Sequence, residues 1–340
     1  MRDVAERAGV GVGTVSRVVN GGVSVRQVTA ARVQRAIDEL GFHRNEVARA
    51  LRPGMTSSTI AMLLGDLSNP FYAAIAKGAL DVARSAGYAV MLSSVDEDAL
   101  AEQRAARELF SRRIAGMMLV PVRRDTAFLQ RAQRSDTPIV LIDRPAHGVE
   151  TDAVLVDNDR GGYLATQHLL AHGHIRIAML VAPSYYTTGQ RTNGYRRALR
   201  AAGIPIDPTL VVDLPEGSVQ AAEVATHDLL RRRGGPTAIF ASTNFLCEGA
   251  IRAMHQAGRQ VAVVGFDDFR LADLIPLPAT VVTADPGDVG RRAASLLLRR
   301  IGGDRGPVER EIVPVRLIQR GSGELSPGAT RKGNTACPTQ

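Results

Sequence analysis

From residue 58 onward, short apolar runs recur between segments of helical spacing: STIAMLLGDL, YAVMLSS, GMMLVPV, PIVLID, IRIAMLVA, TAIFAS and VAVVGF. Runs that are apolar on successive residues suit strands buried on both faces. Strands alternating with helices therefore imply parallel sheets covered by helices on both sides. About 260 residues of this texture are too many for one small sheet and match two.

Residues 1–54 read differently. DVAERA (3–8) forms a short helical pattern ended by Gly9, with Val4, Ala5 and Ala8 on one face. Thr14 to Asn20 reads as a second helix with Val15, Val18 and Val19 facing inward. VTAARVQRAIDELGF reads as a third, with Val33, Ile37 and Leu40 on a stripe that stops at Gly41. Three short helices, the first two joined by a tight glycine turn, make a helix-turn-helix pattern. The net charge of +8 is concentrated here, since residues 1–54 hold nine arginines against five acids, a surplus of +4. A local basic excess points to a polyanionic partner. NEVARALRPG (45–54) adds a helical turn or two before Pro53 and Gly54, and MTSST completes a linker.

The glycines at 9, 11 and 13 admit another reading, a loop that wraps a phosphate. Such a loop needs a strand before it, and the preceding residues are helical in pattern. The position three after Gly11 is Thr14, and no Gly-Lys-Ser/Thr ending is present. Read as a turn, Gly9 takes the positive φ that closes one helix, Val10 packs between helices and Gly11 is a weak N-cap. Thr14 and Ser16 can donate to phosphates, while Arg17 lies on the exposed face. A three-helix packing module without nucleic acid is the bland alternative, which the charge surplus disfavours.

Composition excludes several classes. The two cysteines, Cys247 and Cys337, lack partners at metal or redox spacing, so no zinc site, other metal or disulfide framework is expected. No run reaches a membrane span, and MRDVAERAGV lacks the pattern of a secretory signal, which places the protein in the cytoplasm. An enzyme on a doubly wound fold would show a nucleophile elbow, a P-loop or a metal cluster, and none is present. No catalytic residue or cofactor is expected. His168, His172 and His174 cluster in QHLLAHGH at a helix end and read as structural. The last residues, GSGELSPGATRKGNTACPTQ, are polar and read as a disordered tail from 323 to 340.

DVAERAGVGVGTVSRVVNG, with RVQRAIDELGF and NEVARAL, strongly resembles the opening of the lactose-repressor (LacI-type) family of bacterial transcription regulators. The resemblance continues in order through GDLSNPFYAAIAKGALDVARSAGY, LIDRP, GGYLATQHLLAHGH, GQRTNGYRRAL, VAVVGFDD and VPVRLIQRGS. It implies an all-α helix-turn-helix DNA-binding domain (1–44), a hinge helix and linker (45–58), and an α/β sensor (59–322). The sensor resembles a periplasmic binding protein, with two doubly wound parallel-sheet lobes. It also implies a repressor whose operator affinity is set by a small-molecule effector, most often a sugar, and a homodimer, or a tetramer, on a pseudo-palindromic double-stranded operator.

Carried over by position, Val12, Gly13 and Arg17 select the operator, with Thr14, Ser16 and Asn20 beside them. Asn45, Ala48 and Leu51 belong to the hinge, where Leu51 matches the leucine that wedges between base steps. A plain linker residue is the competing reading for Leu51. Asn69, Phe71, Tyr72, Asp143, Asp157, Arg191, Asn244 and Asp267 match the effector cleft. Core packing competes for Phe71 and Tyr72, strand-end capping for Asp143 and Asp267, and Asp157 is the weakest of the set. The chain departs from the family pattern at Arg26, Ala30 and Arg44, and at Thr243-Asn244 where an Asn-Asp pair is frequent. It also starts close to helix 1 with no capping residue, so the native N-terminus is expected upstream of Met1, and the first helix is expected to fray.

Overall fold

The computed structural model describes residues 1–19, 25–42, 57–122, 129–130, 137–146, 148–183 and 185–328. The chain divides into two compact units, Met1–Ser57 and Ser58–Gln340.

In the first unit α1 (Arg2–Ala8), α2 (Val12–Val19) and α3 (Gln27–Glu39) close over Val4, Ala5, Ala8, Val15, Val33 and Ala36. Gly9 adopts φ 61°, and its N–H returns to the Glu6 carbonyl, so α1 ends where a left-handed residue is available. Helix α2 begins two residues before Thr14, because the Gly11 carbonyl accepts from both Thr14 and Val15. The stripe expected on α3 is corrected at its end. Leu40 is exposed and Ala36 fills the buried position, as a small residue suits close helix contact. No side chain caps α1 at Met1.

The second unit holds two six-stranded sheets of equivalent order. Lobe 1 runs β11-β5-β4-β3-β1-β2, from β1 (Thr59–Leu64), β2 (Ala89–Ser94), β3 (Met117–Leu119), β4 (Ile139–Ile142), β5 (Asp152–Val156) and β11 (Arg310–Val313). Every pair in it is parallel. Lobe 2 runs β12-β10-β9-β8-β6-β7, from β6 (Ile177–Val181), β7 (Val211–Asp213), β8 (Ala238–Ala241), β9 (Ala262–Phe266), β10 (Thr280–Thr283) and β12 (Arg316–Ile318). Only its β10–β12 pair is antiparallel. All seven apolar runs became strands, and the central ones are buried along their length. Strands β5, β7, β10, β11 and β12 were not foreseen. They are short, and β7, β11 and β12 are outer strands with few apolar residues to mark them.

Helices cover both faces of each sheet. In lobe 1 α4 (Pro70–Ser85) and α10 (Pro286–Ile301) cover one face and α5 (Ala99–Ser111) the other. In lobe 2 α6 (Asn158–Ala171) and α7 (Tyr186–Ala201) pair on one face, with α8 (Val219–Arg231) and α9 (Asn244–Gln256) on the other. The helix pairs cross at glycines. A methyl group on Gly162 would overlap the Arg191 carbonyl, and one on Gly290 would overlap the Ile75 carbonyl. The chain passes between lobes three times, after β5, after β10 and after β11, so three strands of chain form the hinge.

The expectation of a disordered tail from residue 323 is corrected at its start. Glu324 accepts from the Gly321 N–H and the Thr280 hydroxyl at 2.8 Å each, and its other oxygen lies 2.7 Å from His168 Nε2. Ser322 donates to the Val263 carbonyl at 2.6 Å and His174 Nε2 meets the Leu325 carbonyl at 2.6 Å. These buried partners hold a segment whose composition alone reads as loop. Residues 329–340 lie outside the described residues, as do Asn20, Asn45, Ala48, Leu51 and the rest of 45–56.

Candidate functional site

Sheets of this kind bind ligands beyond the carboxyl ends of their strands. Both lobes point those ends into one cleft of about 460 Å³. Lobe 1 contributes Asp66, Ser68, Asn69, Phe71 and Tyr72 after β1, Asp96 and Glu97 after β2, and Asp143 and Arg144 after β4. Lobe 2 contributes Tyr185, Thr187 and Arg191 after β6, residues 216–220 after β7, Thr243 and Phe245 after β8, and Asp267 after β9. Helix caps shape the rim. Asn69 accepts from the Phe71 N–H at 3.0 Å and Thr243 from Leu246 at 3.2 Å.

Asp143 and Asp267 are counterparts. They follow β4 and β9, adopt φ 66° and 65°, and donate their N–H to the Val154 and Val282 carbonyls at 2.9 and 2.8 Å. Left-handed backbone is unfavourable for a non-glycine residue and persists where surrounding structure enforces it. In each, Oδ1 is buried without a hydrogen-bond partner among the described residues. Burial lifts the Asp267 carboxyl to about 6, against the pull of Arg191, and also lifts Asp143, against Arg144 and Arg191.

The two arginines are held differently. Arg191 donates from Nε to Asn158 at 2.8 Å and from one terminal nitrogen to the Ser242 carbonyl at 2.6 Å. Its other terminal nitrogen is 3.4 Å from Asp267, and its plane lies 3.5 Å from the Phe266 ring centre. Arg144 forks onto Glu97 at 2.6 and 2.7 Å and donates to the Tyr72 hydroxyl at 2.7 Å. Across the cleft it lies 5.1 Å from the Tyr185 ring centre. The Asn244 amide, which donates to Asn69 at 3.0 Å, also spans the lobes.

Six of the eight expected cleft residues therefore come together: Asn69, Phe71, Tyr72, Asp143, Arg191 and Asp267. Asn244 adjoins them, buried, as the stitch between lobes rather than as cleft wall. Asp157 is a correction. Its carboxylate accepts from the Arg160 N–H at 3.1 Å to cap α6, and the neighbouring Asn158 reaches the site by supporting Arg191. Sequence reasoning missed Glu97 and Arg144. Arg144 was in plain view in LIDRP beside Asp143, but its partner lies in a loop with no periodic signal.

In the first unit Val12 is 44% exposed, Gly13 and Arg17 are exposed, and Thr14 and Ser16 are half-buried. Arg17 Nε rests on the Gly13 carbonyl at 3.2 Å. The outer face of α2 thus presents an apolar contact, bare backbone and one guanidinium, suited to groove and phosphate contacts.

A helix-turn-helix unit ahead of a two-lobed sensor with a polar inter-lobe cleft defines a ligand-controlled DNA-binding regulator. Residues 1–45 match the bacterial regulatory proteins of the lacI family, and residues 57–321 match the periplasmic binding proteins and sugar binding domain of the LacI family. The chain is 34% identical to the HTH-type transcriptional regulator CelR of Thermobifida fusca, over 94% of this chain and 97% of that one. A CelR–cellobiose complex matches with a TM-score of 0.71 at 33% identity, covering 94% and 98%. The Lac repressor dimer bound to operator and the anti-inducer ONPF matches with a TM-score of 0.83 at 25% identity, covering 95% and 98%. The chain belongs to the LacI family of bacterial regulatory proteins: it is a transcriptional regulator and not an enzyme. No helix among the described residues is long and apolar enough to cross a membrane.

Proposed function

We propose that this protein is a cytoplasmic repressor that binds a pseudo-palindromic operator as a homodimer and is controlled by a neutral carbohydrate closed between its two lobes. The observation that carries the effector reading is that Asp143 and Asp267, which line one cleft with Arg191, each hold a buried carboxylate oxygen without a partner among the described residues. Buried acceptors without donors are costly, and vicinal hydroxyls supply donors to both carboxylates while accepting from the guanidinium. The Phe71, Tyr72 and Phe245 rings offer apolar faces to a sugar ring. Six carboxylates against two guanidiniums line the cleft, so it disfavours phosphorylated or acidic sugars. Cellobiose in the CelR complex supports the same ligand class.

On the DNA side, Val12, Gly13, Thr14, Ser16 and Arg17 form the reading edge. Asn20, Asn45, Ala48 and Leu51 complete the contacts by their match to the family pattern. Domain limits of 1–44, 45–58 and 59–322 follow the same pattern. Effector closure alters the two-lobe geometry and, through it, the spacing of the paired DNA-binding units. A thermal-shift screen of neutral sugars, sugar phosphates and nucleosides tests the effector reading, with Arg191→Ala as control. A neutral sugar is expected to raise the Tm of the wild type and not of the variant. A phosphate or nucleoside as the sole stabiliser contradicts it.

A further inference from the structure

We propose that the effector is an oligosaccharide of at least two sugar units, which spans two chambers that the Arg144 side chain separates. This rests on the carbohydrate reading of the cleft and extends it. A second inter-lobe cavity of about 430 Å³ borders the cleft, which itself measures about 460 Å³. Arg144 and Tyr185 line both spaces. Their cation–π contact joins lobe 1 to lobe 2, so these two side chains stand where the two spaces meet.

The partition has an unmet donor. Arg144 is only 5% exposed, yet its Nε has no hydrogen-bond partner among the described residues, and Asp143 Oδ2 stands 3.5 Å away. A buried guanidinium N–H without a good acceptor costs stability. A glycosidic or hydroxyl oxygen passing from one chamber to the other would provide the acceptor. Beyond the partition, Pro121 and Pro145 of lobe 1 and Tyr186 of lobe 2 present flat apolar surfaces. Gln190, Asn193 and Arg196 follow at three-residue steps along α7 and present amide and guanidinium donors from one side. Apolar flats beside a row of donors match the C–H faces and hydroxyl rim of a second sugar ring.

Gly189 supplies the test. It lines the second chamber, and a Cβ placed there meets nothing within 4 Å, so a side chain can be started at 189 without a clash at its first carbon. The full-length protein is titrated calorimetrically with cello-, malto-, xylo- and chito-series sugars, each as monosaccharide, disaccharide and trisaccharide. One series is expected in which the disaccharide binds at least about ten-fold tighter than its monosaccharide. Gly189→Phe is expected to remove most of that gain while leaving monosaccharide affinity within about two-fold. Asn193→Trp, at an exposed position, repeats the experiment if Gly189→Phe does not fold. A disaccharide that binds no tighter than its monosaccharide overturns the proposal, as does a folded variant that keeps the full gain. Silence across all four series instead overturns the carbohydrate reading beneath it.

Discussion

The two lobes share a strand order, a crossover helix paired at a glycine contact, and an aspartate in left-handed backbone at the cleft. They differ in what they do with their arginine. Lobe 1 neutralises Arg144 internally, with a two-pronged bond to Glu97 and the Tyr72 hydroxyl beside it. Lobe 2 steadies Arg191 with neutral groups, Asn158 and the Ser242 carbonyl, and leaves its carboxylate neighbour at 3.4 Å. Burial accordingly lowers the Arg191 pKa, whereas Arg144 is raised well above its ordinary value despite burial, by Tyr72, Glu97 and Asp143. A guanidinium whose charge is met by a carboxylate of its own lobe serves as a wall, with only its Nε, among the described residues, left to donate. One held by neutral groups retains charge to offer a ligand.

The shared part of this comparison is the easiest to break. Gly162→Val and Gly290→Val each drive a side chain into a backbone carbonyl of the facing helix. Each is expected to cost more than about 3 kcal/mol in urea unfolding. A cheap substitution in one lobe would mean that the helix pairs are not equivalent. The divergent part comes next. Arg191→Ala is expected to weaken effector binding by about 2–3 kcal/mol, roughly 100-fold by calorimetry, as loss of a charged hydrogen-bond donor implies. Retained affinity would put the ligand elsewhere.

Asp267→Asn sharpens the comparison through pH. With its folded pKa lifted to about 6, Asp267 keeps its proton in the folded chain over a range where the unfolded chain has lost it. Its contribution is therefore fully present below about pH 4, declines between pH 4 and 6, and stays at its lower level above. The ligand-free variant should match wild type near pH 4 and exceed it by about 1–3 kcal/mol at pH 7–8 in urea titrations. A parallel pH profile for both proteins would contradict the burial of that charge. The smallest expected effect is at the C-terminal segment of lobe 2, which has no match in lobe 1. Glu324→Gln weakens the contact with His168 and should cost about 1 kcal/mol, measured by the same unfolding experiment.

Sequence reading reached furthest where the signal is local and periodic. Six of the seven strands read from sequence are central and apolar on consecutive residues because both sheet faces are covered, so TIAMLL or IAMLV could be read directly. The edge strand β2 was legible from its AVML run alone. Outer strands such as REIV and RLI owe their structure to a neighbour supplied by the fold, and nothing in their own residues announces it. The cleft divides in the same way. Asp143, Arg191 and Asp267 stand at strand ends or in family motifs and were legible. Glu97 became a partner only because β2 and β4 deliver their ends to one place. Asp157 misled because a helix-capping aspartate looks, in sequence, like a ligand-facing one. The Ser322–Glu324 turn was hidden because its stability comes from Thr280, Val263 and His168, all distant in the chain.

The central claim is that occupancy of the Arg191 cleft controls operator binding by α2. The direct measurement is fluorescence anisotropy of the full-length protein on an operator selected from random DNA. It is made at fixed salt with and without the saccharide found by screening, for wild type and Arg191→Ala. The account expects the sugar to change wild-type operator affinity by about five-fold or more, the lower end of typical coupling. It expects the variant to bind the same operator and not respond. An equal response in both proteins, or none in the wild type with sugar demonstrably bound, would contradict it.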